Sequence, residues 1–292
     1  MLARIEADYE RKNNRSFPTV KYCFQHIERA FKFRRVVDIR TADIETYVKE
    51  RTKAGASRAT VNRELAYLRR GFRLMLKAGD ISAIPCVIEL ASEDNARKGF
   101  VGPAEFAVFA QKLQEIAGDD VRDIVEFLYN SGWRSGEAKS LEWSDVFIDD
   151  AIVRLPAEKS KSKKPRPLPL TGTLMDIIER RIKVRRLDCP FVFHRTGRQI
   201  KSFRRAFKAA AEAASLAGLL PHDLRRSAVR NFRRAGLSEH EGMALSGHAT
   251  DSVYRRYDII GESDLREAME RVQSHVLREA EARKVVALKK QA

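Results

Sequence analysis

The sequence predicts a mainly α-helical chain interrupted by one small antiparallel β-sheet. Apolar residues recur at helical spacing along most of it, as in Val20, Phe24, Ile27 and Phe31, or Val61, Leu65, Leu68, Phe72 and Leu76. Between Val146 and Leu170 that period gives way to short apolar runs separated by turn residues. A polar stretch ending in glycine, Ser92 to Gly99, divides the chain, and 292 residues suit two domains of ordinary size. The expected boundaries are a helical domain over residues 1–95 and a larger domain over 96–292.

The first domain reads as helical throughout. After the stripe of 19–33, Asp38 to Thr41 reads as a short turn, with Thr41 capping a helix that carries Ile44, Tyr47 and Val48. The run 58–78 is the clearest amphipathic pattern, and Gly79-Asp80 ends it. Its other face carries Arg58, Arg63, Arg69, Arg70 and Arg73, with Glu64 the one acid among them. So many unmatched cations on one helix face suit a row of phosphates.

The second domain opens at Pro103 with a helix over 103–116, Pro being favoured at a first helical position. Another helix over about 120–131 runs into Asn130-Ser131-Gly132-Trp133-Arg134-Ser135-Gly136-Glu137, where two glycines suggest a bend that fixes the direction of Arg134. Leu141 and Trp143 read as core anchors. Val146 to Ile148 and Ile152 to Leu155 form a hairpin across Asp149-Asp150. A lysine-rich turn, Glu158 to Lys164, leads to a strand from Arg166 to Leu170 that Pro167 and Pro169 confine to an edge. Helices resume over about 173–186 and 199–216, with Phe191 to Phe193 a short strand or packed loop between them. The tail, 263–283, is amphipathic through Leu265, Met269, Val272 and Val276. Its stripe can pack on its own domain or dock on a neighbouring subunit.

A formal charge of +16 points to a polyanionic partner, most simply nucleic acid, with a ribosomal or anionic-membrane surface as the bland alternative. No apolar run approaches the ~20 residues of a membrane span, and MLARIEADYERK has no apolar signal core. Cys23, Cys86 and Cys189 are odd in number and far apart. They read as buried small hydrophobes in a reducing compartment.

The stretch from Leu219 to Asp258 concentrates the chemistry. His222 and Arg225 lie three apart at a helix start and so share a face, His248 follows a helix stop at Gly247, and Tyr257 comes nine residues later. Arginine grips phosphate oxygens with its planar fork, histidine moves a proton, and a tyrosine hydroxyl can attack. Tyrosine titrates near ~10 and needs a group to take its proton. His222, His240 and His248 lack metal-ligand spacing, so neither a metal nor another cofactor is expected. His26, His194 and His275 read as ordinary histidines, and Arg226 as a surface charge or DNA contact.

Four segments in order carry a resemblance: Ser131 to Ala138 around Arg134, Lys161 to Leu170, His222-Asp223-Leu224-Arg225, and Leu245-Ser246-Gly247-His248 with Tyr257. The chain resembles the tyrosine recombinases of the phage-integrase family. The likeness covers the second domain, and residues 19–90 resemble more weakly the family's helical core-binding domain. The resemblance implies that Tyr257 is the nucleophile, forming a 3′-phosphotyrosyl link. It implies that Arg134 and Arg225 clamp the scissile phosphate and Lys161 protonates the leaving 5′-oxygen. His222 would exchange a proton with Tyr257, His248 would donate to the phosphate, and Glu137 would orient its neighbours. Tyr254 rivals Tyr257, and Lys159, Lys163 and Lys164 rival Lys161; the family's spacing favours Tyr257 and Lys161.

The resemblance further implies a cytoplasmic, nucleoid-associated enzyme that closes on double-stranded DNA as a two-domain clamp. Four copies would exchange strands at paired sites through a Holliday junction, with the helix from Ser263 docking one subunit on the next. Without DNA the chain is expected to be a monomer or weak oligomer, and accessory factors are compatible with it. Beginning close to the core-binding helices, it is expected to lack an arm-binding domain, in the manner of Xer-like or mobile-element enzymes. Two other readings use the same residues: a topoisomerase-like enzyme without strand exchange, and a catalytically silent DNA-binding regulator.

Overall fold

The computed structural model describes residues 1–13, 17–93, 99–160, 164–257 and 261–289, without the side chains of 17–19, 263 and 282–289. The mainly helical fold with a small antiparallel sheet is as the sequence predicts. Chain contacts divide it into two compact units, Met1–Ala96 and Arg97–Ala292.

The first unit is built from α1 (Leu2–Arg11), α2 (Phe17–Phe31), α3 (Thr41–Lys53) and α4 (Arg58–Lys77). Its core joins Ile5 and Tyr9 of α1 to Val20, Phe24 and Ile27 of α2, Ile44 and Tyr47 of α3, and Val61, Leu65, Leu68 and Phe72 of α4. The periodic stripes are therefore the buried faces, except that Leu76, expected on the α4 stripe, is exposed in the last turn of the helix. Thr41 is not the cap of α3. Arg40 takes the extended cap conformation, its amide donating to Asp43 Oδ2 at 2.8 Å, while Thr41 Oγ1 accepts from the Val87 amide at 3.1 Å. Helix does not continue to residue 95 either. Gly79 turns the chain at φ 76°, and the irregular segment beyond it buries Ile81, Cys86 and Ile88 in the same core. These three lack helical spacing because they fill gaps between helices. Of the expected linker, 94–98 lie outside the described residues.

The second unit contains α5 (Pro103–Ala117), α6 (Asp119–Ser131), α7 (Ser135–Lys139), strands β1 (Val146–Phe147), β2 (Ile152–Leu155) and β3 (Arg166–Pro169), and α8 (Thr173–Lys183). There follow β4 (His194–Arg195), β5 (Arg198–Gln199), α9 (Arg204–Ala213), α10 (Pro221–Arg234), α11 (Glu239–Ser246), α12 (Asp251–Tyr254) and α13 (Glu262–Lys289). The sheet order is β1-β2-β3, antiparallel, with Val153 opposite Leu168 and Leu155 opposite Arg166. Its prolines thus sit on an edge strand. Val153, Leu155 and Leu168 join Phe109, Ile124, Phe127, Trp133, Leu141, Val192, Phe193 and Phe207 in one core. The small β4-β5 hairpin escapes the sequence because two-residue strands carry no measurable alternation.

Two glycines do steric work. Gly132 ends α6 at φ 65°, and a Cβ there would lie 3.1 Å from the Ala228 Cβ of α10. Gly247 ends α11 at φ 73°, where a Cβ would overlap Arg166. Gly136, expected to share the bend at Trp133, lies inside α7 instead.

The α3–α4 pair is locked by a buried carboxylate. Glu64 accepts from Arg51 Nη2 at 2.7 Å, Arg51 Nε at 2.9 Å and the Tyr47 hydroxyl at 2.7 Å. Removing it strands both partners, so Glu64→Ala should cost about 3 kcal/mol in urea unfolding of the first unit's transition. A loss below about 1 kcal/mol would show that the trio is not structural.

Candidate active site

Three separate segments meet at one place in the second unit. The bend after α6 brings Arg134, the start of α10 brings His222 and Arg225, and the stop of α11 brings His248, with Tyr257 just beyond α12. Local sequence explains each delivery. Pro221 starts α10, and the Asp223 carboxylate accepts the Leu220 amide at 2.9 Å, so the first turn is fixed where His222 and Arg225 project. Ser238 and Glu241 close a capping box on α11.

Arg225 is buried. Its Nη1 donates to the carbonyls of Gly132 and Ser246, both at 2.7 Å, and its Nε to His248 Nε2 at 3.2 Å. Nη2 is buried too and has no hydrogen-bond partner among the described residues. Burial, and then the nearby charge of Arg134, pull its pKa down to about 9, which still leaves it protonated at neutral pH. Arg134 is half-buried, its Nη1 donating to Glu137 Oε1 at 3.1 Å and to the Gly247 carbonyl at 3.3 Å.

His248 is pushed down to about 3 by burial, then by Arg225 and Arg134, and is therefore neutral. Ser246 Oγ donates to the Gly242 carbonyl at 2.6 Å, so the 2.8 Å contact between Ser246 Oγ and His248 Nδ1 is a donation from the ring. That tautomer leaves Nε2 to accept from Arg225. Both ring nitrogens are engaged within the protein. The Nε2 contact sets His248 directly against Arg225, at the position where a donor to the phosphate was expected.

His222 Nε2 and the Tyr257 hydroxyl are 2.7 Å apart. The outer edge of His222 is open to solvent. Lost hydration around the ring and then the Arg225 and Arg226 charges lower its pKa, keeping it in the form that accepts a proton. Tyr254, the rival nucleophile, is only 2% exposed and packs edge-on against His248 with its hydroxyl against Gly242. Tyr257, by contrast, is only half-buried. Arg226 is no surface charge. It is buried, donates to Asp223 Oδ1 at 2.9 Å, and lies 5.5 Å from the Tyr257 ring centroid.

Glu137 is buried and accepts from Arg134 N, Arg134 Nη1 and Arg166 Nη2 at 3.0–3.1 Å. Arg166 was missed in the sequence. Its signal was the alternation of β3, which puts Arg166 on the buried face with Leu168. Lys161 and Lys163 lie outside the described residues. Of their rivals, Lys159 is committed to Asp145 at 2.7 Å and Glu142 at 3.0 Å, and Lys164 is exposed. A cleft of about 370 Å³ opens beside the cluster, lined by Trp133, Ser135, Lys139, Arg204, His222 and Arg225. No group of His, Cys, Asp or Glu among the described residues could hold a metal ion.

The arginines of α4 belong to the first unit. Arg58, Arg63 and Arg73 are exposed, with Arg58 also reaching the Ser92 carbonyl at 3.4 Å, and Arg69 is half-buried. Arg70 differs from expectation: it pairs with Asp8, whose carboxyl it holds well below the usual range, and lies 4.7 Å from the Tyr9 ring centroid. It ties α4 to α1.

The pH dependence follows from His222. Neutral imidazole is the competent acceptor, and a lowered pKa extends that form to lower pH. If Tyr257 attacks a phosphodiester with His222 as the acceptor, the rate should fall off at a pH below the ~6.5 of a free imidazole. Adduct rates measured from pH 5 to 8 check this, and a decline beginning above pH 7 would contradict it.

The sequence model of the phage integrase family matches residues 110–263, which span the cluster from Arg134 to Tyr257. Tyrosine recombinase XerA of Pyrococcus horikoshii is 29% identical over 168 residues, covering 55% of this chain and 58% of that protein. The chain spans about half the length of the first curated relatives it matches. A lambda integrase(75-356) dimer bound to a COC′ core site superposes with a TM-score of 0.74 at 18% identity, covering 89% of this chain and 95% of that one. A lambda integrase tetramer bound to a Holliday junction gives a TM-score of 0.67 at 20% identity, covering 82% and 72%. With the family's sequence pattern over more than half its length and the family's fold around the site, the chain belongs to the phage integrase family.

Proposed function

We propose that this chain is a site-specific DNA recombinase, metal- and ATP-independent, working through a 3′-phosphotyrosyl intermediate and a Holliday junction. The observation that carries the reading is the Tyr257 hydroxyl at 2.7 Å from His222 Nε2, beside the Arg134 and Arg225 guanidiniums. In this reading the tyrosine oxygen bonds to phosphorus and the bond from phosphorus to the 5′-oxygen breaks. The tyrosine proton passes to His222, and Lys161 gives a proton to the departing 5′-oxygen. The bond energy stays in the phosphotyrosine, so a 5′-hydroxyl from either strand reverses the step. Arg134 and Arg225 hold the charge that builds on the phosphate, already aimed and largely out of water, where such interactions count most. Glu137 and His248 keep the two guanidiniums in place.

The charge of +16 and the exposed arginines of α4 support double-stranded DNA as the substrate. The lambda integrase complexes with DNA and a Holliday junction support paired sites and a tetramer of this chain. So does α13, where Leu265, Met269, Val272 and Val276 stand about half exposed, a stripe its own unit leaves uncovered. Without DNA we expect a monomer or weak oligomer. The site of action is nucleoid DNA in the cytoplasm, with the core-type unit over 1–95 and the catalytic unit over 96–292. The reading favours an Xer-like or mobile-element enzyme.

The test uses nicked suicide duplexes of randomised sequence, from which covalent protein–DNA adducts are recovered and sequenced. The unaltered chain should yield adducts on a defined sequence. Tyr257→Phe should still retain that duplex in a gel shift but form no adduct. Adducts that persist in Tyr257→Phe, or none from the unaltered chain, would overturn the assignment. Relaxation of plasmid with no recombinant product would mark a topoisomerase instead.

A further inference from the structure

Arg166 begins an edge strand, yet it is only 6% exposed. Its Nη2 donates to Glu137 Oε2 at 3.0 Å, and its guanidinium carbon lies 4.7 Å from the Trp133 ring centroid. On the other side it fills the space under Gly247, where a Cβ would overlap its Nη1. Nε and Nη1 have no hydrogen-bond partner among the described residues. Burial lowers its pKa, Glu137 works to raise it, and Arg134 lowers it again. An apolar side chain could pack on Trp133 without that desolvation cost. The charge of Arg166 therefore calls for a separate reason.

Glu137 supplies it. One carboxylate is shared between Arg134 and Arg166, and Arg225 lies close enough for both guanidiniums to lower its pKa. We propose that Arg166 is a positioning residue that balances the charge of Glu137 and so leaves the charge of Arg134 available to the scissile phosphate. With Arg166 in place, three guanidiniums face one carboxylate, and the surplus matches a phosphodiester that gains negative charge as the tyrosine oxygen adds. Without it, the Glu137 carboxylate draws more strongly on Arg134, and less of the Arg134 charge is left for the phosphate. The inference rests on the phosphotyrosyl reading above and goes beyond it in assigning a role to a residue that need not touch DNA.

The experiment compares the unaltered chain, Arg166→Gln and Arg166→Lys on the captured duplex. That duplex is made once with a phosphodiester and once with an uncharged methylphosphonate at the cleaved position. On the phosphodiester, Arg166→Gln should slow adduct formation by about tenfold or more, and on the methylphosphonate it should stay within about twofold of the unaltered chain. Arg166→Lys keeps the charge and should stay within about threefold on both. Equal losses by Arg166→Gln on the two substrates would overturn the proposal, because a scaffold defect ignores substrate charge. If Arg166→Gln loses its cooperative melting transition, Arg166→Lys decides: near-normal rates support the proposal, and an equal slowing on both substrates overturns it. A failure of the phosphotyrosyl reading would show differently, as no adduct from the unaltered chain.

Discussion

A guanidinium withdrawn from water must be met by acceptors wherever solvent has left it, and Arg225 sets that demand for the second unit. The acceptors are backbone. The carbonyl of Gly132 ends α6 and that of Ser246 ends α11, each 2.7 Å from the same Nη1. Helix C-termini carry partial negative charge in their unpaired carbonyls, so two helices direct their negative ends at one buried cation. Both helices stop at a glycine of positive φ, which turns the chain away at once and leaves the carbonyl clear. The close crossing of α6 and α10 at Gly132 and Ala228 then sets the distance.

That arrangement explains the electrostatics around it. Arg225, Arg134 and Arg166 crowd together with one carboxylate, and the two histidines beside them are driven to the neutral form. A neutral His248 can accept from Arg225, and a neutral His222 can accept from Tyr257, so burial and then the same positive field prepare both rings for their parts. The field also favours an anion in the cleft that Arg225 and His222 line. Because the guanidiniums are held by buried partners, they need little reorganisation when charge arrives.

Much of this was legible in the sequence, and what was not has physical causes. The stripe of α4, the starts at Pro103 and Pro221 and the stop at Gly247 are local, because helix periodicity and cap chemistry are set by near neighbours. The spacing of His222 and Arg225 on a first helical turn is local in the same sense. The buried pairings of Arg166 and Arg70 went unread because their partners, Glu137 and Asp8, lie far away in sequence, and a long-range ion pair leaves no local pattern. The irregular run holding Ile81, Cys86 and Ile88 was taken for helix because gap-filling residues have no period. His248 was identified by position, but its hydrogen-bond direction depends on Ser246 and Gly242, which only the folded chain brings together. The difference in burial between Tyr254 and Tyr257 likewise arises only in the folded chain.

The central claim is that Arg134, Arg225 and the residues that hold them form one receptacle for one tetrahedral oxyanion. Crystals of the full chain soaked in tungstate test it most directly, since the metal is located by its anomalous scattering. The account predicts a peak whose oxygens lie within hydrogen-bonding distance of both the Arg134 and Arg225 guanidiniums, on the side facing Tyr257. A peak bound elsewhere, or no peak between those two arginines, would contradict it.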